Sequence, residues 1–265
     1  MGSVHSDLEL ARTAALAGAA VAMRYFAALA DLPQERKADG SVVTEADRAV
    51  EAAIRAVLTD ARPGDAILGE EGGATGGGAR RWIIDPIDGT AQFVAGDGRW
   101  LVLVALEEAG EIAVGVAAVP VLGRVWWARR GGGAFEARTD GTAERRITVA
   151  TGRPDEVSGS RLGVIPAEPS LTPSDREIAA PLGAIASTVE WDVHAALLVA
   201  SGELDLAVQT RGQVWDFAAT SLIVQEAGGC YGGVDGRRGP REGTSLFARS
   251  APLWTAAQEA LWPAA

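Results

Sequence analysis

Residues 85–90, which read DPIDGT, carry two carboxylates that could bind a divalent cation. Asp85 and Asp88 stand three residues apart after an apolar stretch, and Pro86 favours extended backbone at Asp85. A turn after the proline would bring both carboxylates and the Ile87 carbonyl oxygen to one point. Oxygen ligands of this kind suit Mg²⁺. The segment therefore predicts a magnesium site.

The same segment carries groups that could bind phosphate. Gly89 permits close approach of the backbone, and Thr90 offers a hydroxyl group and an amide where a helix could begin. Backbone amides at the start of a helix can bind anions. A single Asp-Gly-Thr sequence is more often an ordinary turn, so this segment alone leaves both interpretations open.

Three further carboxylates stand at the predicted ends of helices or strands. Glu70 follows a short apolar strand, and Asp47 and Asp216 lie near the starts of two helices. An acidic residue at a helix N-terminus can serve the helix alone. Because sites in α/β proteins lie at the ends of their elements, the four acidic segments together favour one shared site.

Several common mechanisms lack their sequence motifs. The glycine-rich stretch at residues 72–79 has no Gly-Lys-Ser/Thr after it, and no Gly-x-Gly-x-x-Gly follows a predicted strand. The nucleophile motif Gly-x-Ser-x-Gly is also absent. One cysteine and two histidines are too few for a cysteine zinc cluster or a multi-histidine site. We interpret His194 as a packed or partly exposed residue and Cys230 as a small buried one.

Four segments resemble the two signature motifs of the inositol monophosphatase family. They are residues 68–71 (LGEE), 82–90 (WIIDPIDGT), 215–219 (WDFAA) and 226–229 (EAGG). The similarity covers roughly residues 37–138 and 190–229, in the family's order and spacing. Residues 62–65 (RPGD), 126–128 (WWA) and 131–135 (GGGAF) are most similar to the histidinol-phosphate phosphatase branch.

The resemblance implies hydrolysis of a phosphate monoester with two or three Mg²⁺ ions, with Mn²⁺ as an alternative and Li⁺ as an inhibitor. The implied metal ligands are Glu70, Asp85, the Ile87 carbonyl, Asp88 and Asp216. The implied catalytic residues are Asp47, Thr90 and Glu70, of which Asp47 and Thr90 would orient the attacking water. The implied phosphate-binding groups are the amides of Gly89 and Thr90 together with Lys37, the one lysine of the chain.

The sequence departs from the family pattern beside the site. Residues 91–95 read AQFVA, so Ala91 follows the motif and Ala95 replaces the histidine or arginine usual in the family. Gln209, seven residues before Asp216, stands where many members have a glutamate that contacts the substrate. Asp192 matches an acidic residue of the histidinol branch, although it could also be a helix N-cap. Asp192 and Gln209 are the predicted substrate contacts.

The predicted function is Mg²⁺-dependent hydrolysis of a small polar alcohol phosphate, such as histidinol phosphate or an inositol monophosphate. One alternative is a nucleotide 3′-phosphatase of the same superfamily. Another alternative is a catalytically silent relative that binds metal or phosphate as a regulatory module.

Helices and strands must position these residues. We predict helices over residues 8–29, from Thr44 to a stop at 62–64, over 192–200 and over 216–227. We predict strands over residues 66–68, 82–84, 100–106, 112–119, 125–128 and 204–208, and the second of them should end at Asp85 and Pro86. Residues 31–43 are predicted as a loop or hairpin and residues 72–79 as a flexible loop, while residues 151–190 give no clear prediction.

Helices and strands alternate in both halves of the chain, which favours a layered α/β or α+β fold. The resemblance implies a five-layer α-β-α-β-α sandwich of the inositol monophosphatase and fructose-1,6-bisphosphatase type. We expect one phosphatase domain over residues 1–265. Its half-domains would cover about residues 1–150, with the metal and phosphate sites, and about 151–265.

Charge and composition limit the partners. Hydrophobic residues make up 48% of the chain, which suits a globular protein, and the net charge of −11 argues against nucleic acid and anionic membranes. Glu9, Arg12 and Arg24 interrupt the apolar run near the N-terminus, so we predict neither a signal peptide nor a membrane span. We expect a cytoplasmic enzyme that acts on a small phosphate ester, and the resemblance suggests a homodimer.

Overall fold

Helices and two large β-sheets alternate in layers in the computed structural model, which describes residues 6–29, 34–36, 42–168 and 170–262. The helices are α1 (Asp7–Phe26), α2 (Glu45–Ala61), α3 (Thr90–Val94), α4 (Pro173–Gly183), α5 (Ala195–Ala200), α6 (Val214–Glu226) and α7 (Ala251–Leu261). The strands are β1 (Gln34–Arg36), β2 (Val42–Thr44), β3 (Ala66–Gly69), β4 (Gly73–Thr75), β5 (Arg80–Asp88), β6 (Leu101–Glu108), β7 (Glu111–Val119), β8 (Arg124–Arg129), β9 (Gly133–Arg138), β10 (Arg145–Ile147), β11 (Arg161–Ile165), β12 (Ser187–Thr188), β13 (Leu206–Gln209), β14 (Cys230–Gly233) and β15 (Ser245–Ala248).

The first large sheet has eight strands in the order β10-β9-β8-β7-β6-β5-β3-β4. Adjacent strands in it are antiparallel, except for β3 and β5, which are parallel. The second has five strands in the order β12-β11-β13-β15-β14, where β11 runs parallel to β12 and β13. Strands β1 and β2 form a separate antiparallel pair, which agrees with the hairpin interpretation of residues 31–43.

Three apolar clusters hold the layers together. Helices α1 and α2 cover one face of the first sheet, where Ile54 and Trp82 are buried. Helices α5 and α6 lie between the sheets in a cluster that contains Phe217. Helices α4 and α7 cover the outer face of the second sheet with Leu182 and Leu253. The predicted five-layer α-β-α-β-α sandwich is therefore confirmed.

The predicted end of β5 at Asp85 and Pro86 is wrong. The strand continues to Asp88, and its pairing with β6 shifts register between Asp85 and Asp88. Pro86 has no N–H to donate, which interrupts the ladder, but its backbone stays extended and pairing resumes where Asp88 lies opposite Leu101. The proline therefore produces a bulge inside the strand rather than its end.

Two other predicted boundaries also differ from the structure. Within residues 72–79, predicted as a flexible loop, strand β4 pairs with β3 because Gly73, at φ 62°, turns the chain back on itself. The helix predicted from Asp192 begins only at Ala195, since Asp192 lies in a bend and His194 occupies the N-cap position.

Residues 151–190 contain regular structure that the sequence did not indicate. They include β11 and α4, a helix that contains Pro181 near its C-terminal end. Cys230 at the start of β14 is half-buried, so the expectation of a buried residue is only partly met. Among the described residues, no helix is both long and apolar enough to span a membrane.

Candidate functional site

Three carboxylates converge where β5 ends and α6 begins. Asp85, Asp88 and Asp216 each offer an oxygen, and these oxygens lie within 4.8 Å of one another. In a regular strand, side chains three residues apart point to opposite faces. The register shift between Asp85 and Asp88 removes that alternation, so both side chains reach the same cluster.

The environment of these carboxylates opposes their negative charge. Burial, followed by the charges of Glu70, Asp88, Asp216 and Asp47, raises the pKa of Asp85 well above its usual value. Burial, followed by Asp216 and Glu70, raises the pKa of Asp88 well above its usual value. Like charges held this close in a buried place repel one another unless a cation lies between them.

Two buried oxygens of the cluster have no hydrogen-bond donor: Oδ1 of Asp85 and Oδ2 of Asp88. Buried polar atoms without a partner are rare in proteins and need an explanation. A set of carboxylate oxygens that lacks donors fits Mg²⁺ or Mn²⁺, which oxygen ligands bind. The residues present therefore suit a divalent cation.

Glu70 stands directly after β3 and lies beside the cluster. Its amide donates to the Ile84 carbonyl oxygen at 3.3 Å, which continues the parallel pairing of β3 and β5. Its charge is close enough to raise the pKa values of Asp85 and Asp88. The group of oxygens within 4.8 Å of one another consists of Asp85, Asp88 and Asp216, so Glu70 approaches this group without being part of it.

Glu51 on α2 supports the chain around Glu70, which the sequence analysis missed. Its carboxylate accepts hydrogen bonds from the amides of Glu71 at 2.8 Å and Gly72 at 2.9 Å. It also accepts one from Arg55 Nε at 2.6 Å. A Cβ on Gly69 would lie 2.3 Å from Glu51 Oε1, so the close approach requires glycine. The sequence signal that could have indicated this role is a glutamate on the buried face of a predicted helix.

Asp47 and Thr90 form a hydrogen-bonded pair beside the cluster. Asp47 Oδ2 accepts from the Thr44 amide at 2.8 Å and the Thr44 hydroxyl at 2.7 Å, which makes a capping box at the start of α2. The Thr90 hydroxyl lies 3.1 Å from Asp47 Oδ1 and 3.1 Å from the Ile87 carbonyl oxygen. Burial raises the pKa of Asp47, and the hydrogen bonds from Thr44 and Thr90 only partly oppose this.

Gly89 and Thr90 place backbone amides next to Asp88. Thr90 is the first residue of α3, and the first amides of a helix have no partner within the helix. Gly89 has a φ of 94°, and a Cβ there would lie 3.0 Å from the Arg99 carbonyl oxygen. Both the conformation and the close approach therefore require glycine at position 89.

A cavity of about 510 Å³ contains exposed Asp192 in its wall. Trp191, which also lines it, packs against His194. Asp97 and Glu190 also line it, together with Arg99 and the Trp191 ring. Arg99 Nε donates to Asp97 at 2.9 Å, so this guanidinium is already paired. The cavity therefore carries an excess of negative charge.

Gln209 and His194 occupy buried positions. Gln209 lies in β13, and its Oε1 has no hydrogen-bond partner. His194 is packed, as expected, with its ring against Trp191 and a pKa that burial lowers to about 4. The sequence did not indicate that His194 Nε2 lies 3.7 Å from Asp88 Oδ2. Lys37, the predicted phosphate-binding lysine, lies outside the described residues.

Comparisons with known proteins place the chain among phosphatases. A family model described as "Inositol monophosphatase family" matches residues 4–263. A histidinol-phosphatase of Mycobacterium tuberculosis is 41% identical over 249 residues, which cover 91% of this chain and 93% of that protein. An inositol-1-monophosphatase of Mesorhizobium japonicum is 34% identical, with coverage of 85% and 84%. The solved structure of extragenic suppressor protein SuhB from Bartonella henselae superimposes with a TM-score of 0.83 at 27% identity and covers 98% of this chain and 100% of that one.

Proposed function

The chain belongs to the inositol monophosphatase family, and on this premise we propose that it is a Mg²⁺-dependent phosphomonoesterase for a small polar alcohol phosphate. The observation that carries the proposal is the convergence of Asp85, Asp88 and Asp216 beside the hydrogen-bonded pair Asp47 and Thr90. Carboxylates that repel one another are suited to hold cations, and the neighbouring pair is suited to orient water.

Five oxygen donors are proposed to hold two or three Mg²⁺ ions, or Mn²⁺ in their place, with Li⁺ as an inhibitor. They come from Glu70, Asp85, the carbonyl of Ile87, Asp88 and Asp216. The donor-free oxygens of Asp85 and Asp88 support this assignment. The single Thr90 hydroxyl proton can go to Asp47 rather than to the Ile87 carbonyl oxygen, which then remains available as a ligand. Bound divalent cations supply positive charge that offsets the phosphate dianion and acidifies water.

Thr90 and Asp47 are proposed to orient the attacking water, and Glu70 is proposed as the third catalytic residue. The Thr90 hydroxyl donates to Asp47, and its oxygen can therefore accept a hydrogen bond from water. The pKa of Asp47 is raised by burial, which makes this carboxylate a better proton acceptor than an exposed one. The Thr44 hydrogen bonds hold Asp47 in place during this step.

The phosphate group is proposed to bind the amides of Gly89 and Thr90. These amides lie beside Asp88 at the start of α3, so a phosphate oxygen bound there would lie next to the carboxylate cluster. Lys37 is proposed to attract the phosphate through its positive charge.

The negative charge of the cavity favours a substrate whose alcohol part is positively charged. Three carboxylates line it, and its arginine is paired with one of them. Asp192 is proposed to contact the substrate, and Gln209 would offer a neutral amide oxygen where a carboxylate would bind a cation more strongly. The relatives named histidinol-phosphatase add support. We therefore place histidinol phosphate first and an inositol monophosphate second.

Phosphate release from a panel of esters tests the proposed function. The panel contains histidinol phosphate, inositol 1-phosphate and a nucleoside 3′,5′-bisphosphate, each assayed with Mg²⁺ and with EDTA. We expect Mg²⁺-dependent release that is fastest with histidinol phosphate. Release from the bisphosphate alone would favour a nucleotide 3′-phosphatase, and Mg²⁺ binding without release from any ester would favour a silent relative.

We further propose that residues 1–265 act as one phosphatase domain with half-domains of about 1–150 and 151–265. The support is that β10, the last strand of the first sheet, ends at Ile147 and that β11 of the second begins at Arg161. A cytoplasmic homodimer without nucleic-acid or membrane partners is the proposed working form. Sedimentation at micromolar concentration tests the dimer, and a monomer mass would contradict it.

A further inference from the structure

His194 is a polar residue in an apolar run. Val193 before it and Ala195 and Ala196 after it are buried in the cluster between the two sheets. The backbone of His194 begins α5, where its carbonyl oxygen accepts from the Leu197 amide at 2.9 Å. That role needs no imidazole. If packing alone determined this position, an apolar side chain would serve better.

Both ring nitrogens of His194 are buried and have no hydrogen-bond partner, and the side chain is only 5% exposed. The ring packs against Trp191 in an edge-type contact, with ring centroids 5.9 Å apart. A buried imidazole that leaves both nitrogens unpaired destabilises a protein. An imidazole N–H in this place therefore calls for an acceptor close to the ring.

One ring nitrogen faces the carboxylate cluster. His194 Nε2 lies 3.7 Å from Asp88 Oδ2, which is itself buried and without a donor. This distance is beyond a hydrogen bond. A carboxylate oxygen has two lone pairs, so Asp88 Oδ2 can face a cation and still accept a hydrogen bond from the imidazole.

We propose that His194 is a positioning residue whose Nε2–H donates to Asp88 Oδ2 when a divalent cation occupies the cluster. The inference rests on the proposed metal ligation by Asp88. The hydrogen bond fixes the plane of the Asp88 carboxylate, so the ligand oxygen is presented in one orientation. Groups that orient metal ligands in this way typically change metal affinity by 10–100-fold when they are removed.

The proposal fixes a tautomer that can be observed without mutating His194. Nε2 carries the proton, so Nδ1 must be bare in the Mg²⁺-loaded protein. The chain has two histidines, and His5→Gln leaves His194 as the only one. In this variant labelled with ¹⁵N-histidine, we expect the Nε2–H tautomer and a proton resonance that shifts as Mg²⁺ is added. The Nδ1–H tautomer at saturating Mg²⁺ would overturn the proposal.

Calorimetry with Mg²⁺ gives the second test. His194→Leu removes the donor and keeps an apolar body, whereas His194→Gln keeps an N–H group. We expect Mg²⁺ affinity to fall by about tenfold or more in His194→Leu and by less in His194→Gln. The melting temperature of His194→Leu in EDTA should equal or exceed that of the unchanged protein, since an unpaired buried imidazole is gone.

Leu197→Met is the matched control, because it changes packing in the same helix without touching a polar group. We expect it to keep full Mg²⁺ affinity. Unchanged affinity in His194→Leu would overturn the role of His194 while leaving the metal site in place. Absence of Mg²⁺ binding by the unchanged protein would instead refute the proposed function on which the inference rests.

Discussion

Two buried aspartates, Asp47 and Asp175, lie in the first turns of helices in the same local motif, but their pKa values are shifted in opposite directions. Residues 44–47 read TEAD and residues 172–175 read TPSD. In both, the threonine amide and hydroxyl donate to one aspartate oxygen, at 2.8 and 2.7 Å. The pKa of Asp47 is nevertheless raised, whereas that of Asp175 is lowered to about 2.

The difference lies in what each aspartate meets beyond its own helix. Burial raises the pKa of Asp175, but hydrogen bonds from Thr210, Thr172 and Arg211 outweigh it. Thr210 Oγ1 donates at 2.6 Å, and Arg211 adds a positive charge. Asp47 instead receives only the longer Thr90 bond at 3.1 Å on its other oxygen. A fully paired carboxylate ties elements together, while a less paired one beside other carboxylates remains able to take part in chemistry.

Asp88→Asn gives the largest expected effect on the chemical side of this comparison. The substitution removes one proposed metal ligand and one repelling charge, so the turnover number should fall by more than about 1,000-fold. The melting temperature in EDTA should stay the same or rise. Steady-state kinetics and calorimetric melting measure the two effects. Activity within tenfold of the original would contradict the role of Asp88.

Asp47→Asn should lower the turnover number by about 100-fold or more, because the amide cannot accept a proton from water through Thr90. Thr90→Val should act in the same direction, while Thr90→Ser keeps the hydroxyl and should retain most of the activity. Equal rates for Thr90→Val and Thr90→Ser would show that the hydroxyl is not used.

Asp175→Asn should lower stability and leave turnover nearly unchanged. Loss of the charge beside Arg211 should lower the free energy of unfolding at pH 7 by about 2 kcal/mol, while the turnover number stays within about threefold. Denaturant unfolding and kinetics on the folded enzyme measure these quantities. A large loss of turnover with unchanged stability would contradict the structural role of Asp175 and its contrast with Asp47.

The stability effect at Asp175 should also depend on pH in a defined direction. A carboxyl group whose pKa is lowered in the folded state stabilises the protein above its unfolded-state pKa of about 4. The advantage over Asp175→Asn should therefore be complete near pH 7 and disappear as the pH falls toward about 2. An advantage that grows with acidity would contradict the assigned shift.

Asp192→Asn gives the smallest expected effect, because its carboxylate is exposed. The KM for histidinol phosphate should rise a few-fold, with little change for inositol 1-phosphate, since exposed charge pairs contribute only about 1 kcal/mol or less. Asp140→Asn, in the turn between β9 and β10, is the matched control and should change neither KM. Equal changes for both substrates would argue against recognition of a cation.

Local sequence features predicted the elements whose ends are determined by residues close to them in the sequence. Thr44 and Asp47 indicated the start of α2, and the apolar runs indicated the central strands of the first sheet. The continuation of β5 through Pro86 could not be predicted this way, because pairing resumes only where β6 supplies a partner at Leu101.

The site was predictable where its residues belong to recognisable sequence motifs, and not where a residue outside those motifs reaches the site only through the fold. The structure brings Asp85, Asp88 and Asp216 together, as the sequence analysis predicted. Glu51 and His194 were missed because their contacts, the Glu71 amide and Asp88, lie far away in the sequence. Helix α4 was missed because Pro181 interrupts its pattern.

Anomalous diffraction from crystals grown with Mn²⁺ tests the central claim most directly. The account predicts anomalous peaks between the carboxylates of Asp85, Asp88 and Asp216, at about 2.0–2.3 Å from their oxygens. Peaks elsewhere on the protein, with these three carboxylates bound only to water or to protein donors, would contradict it.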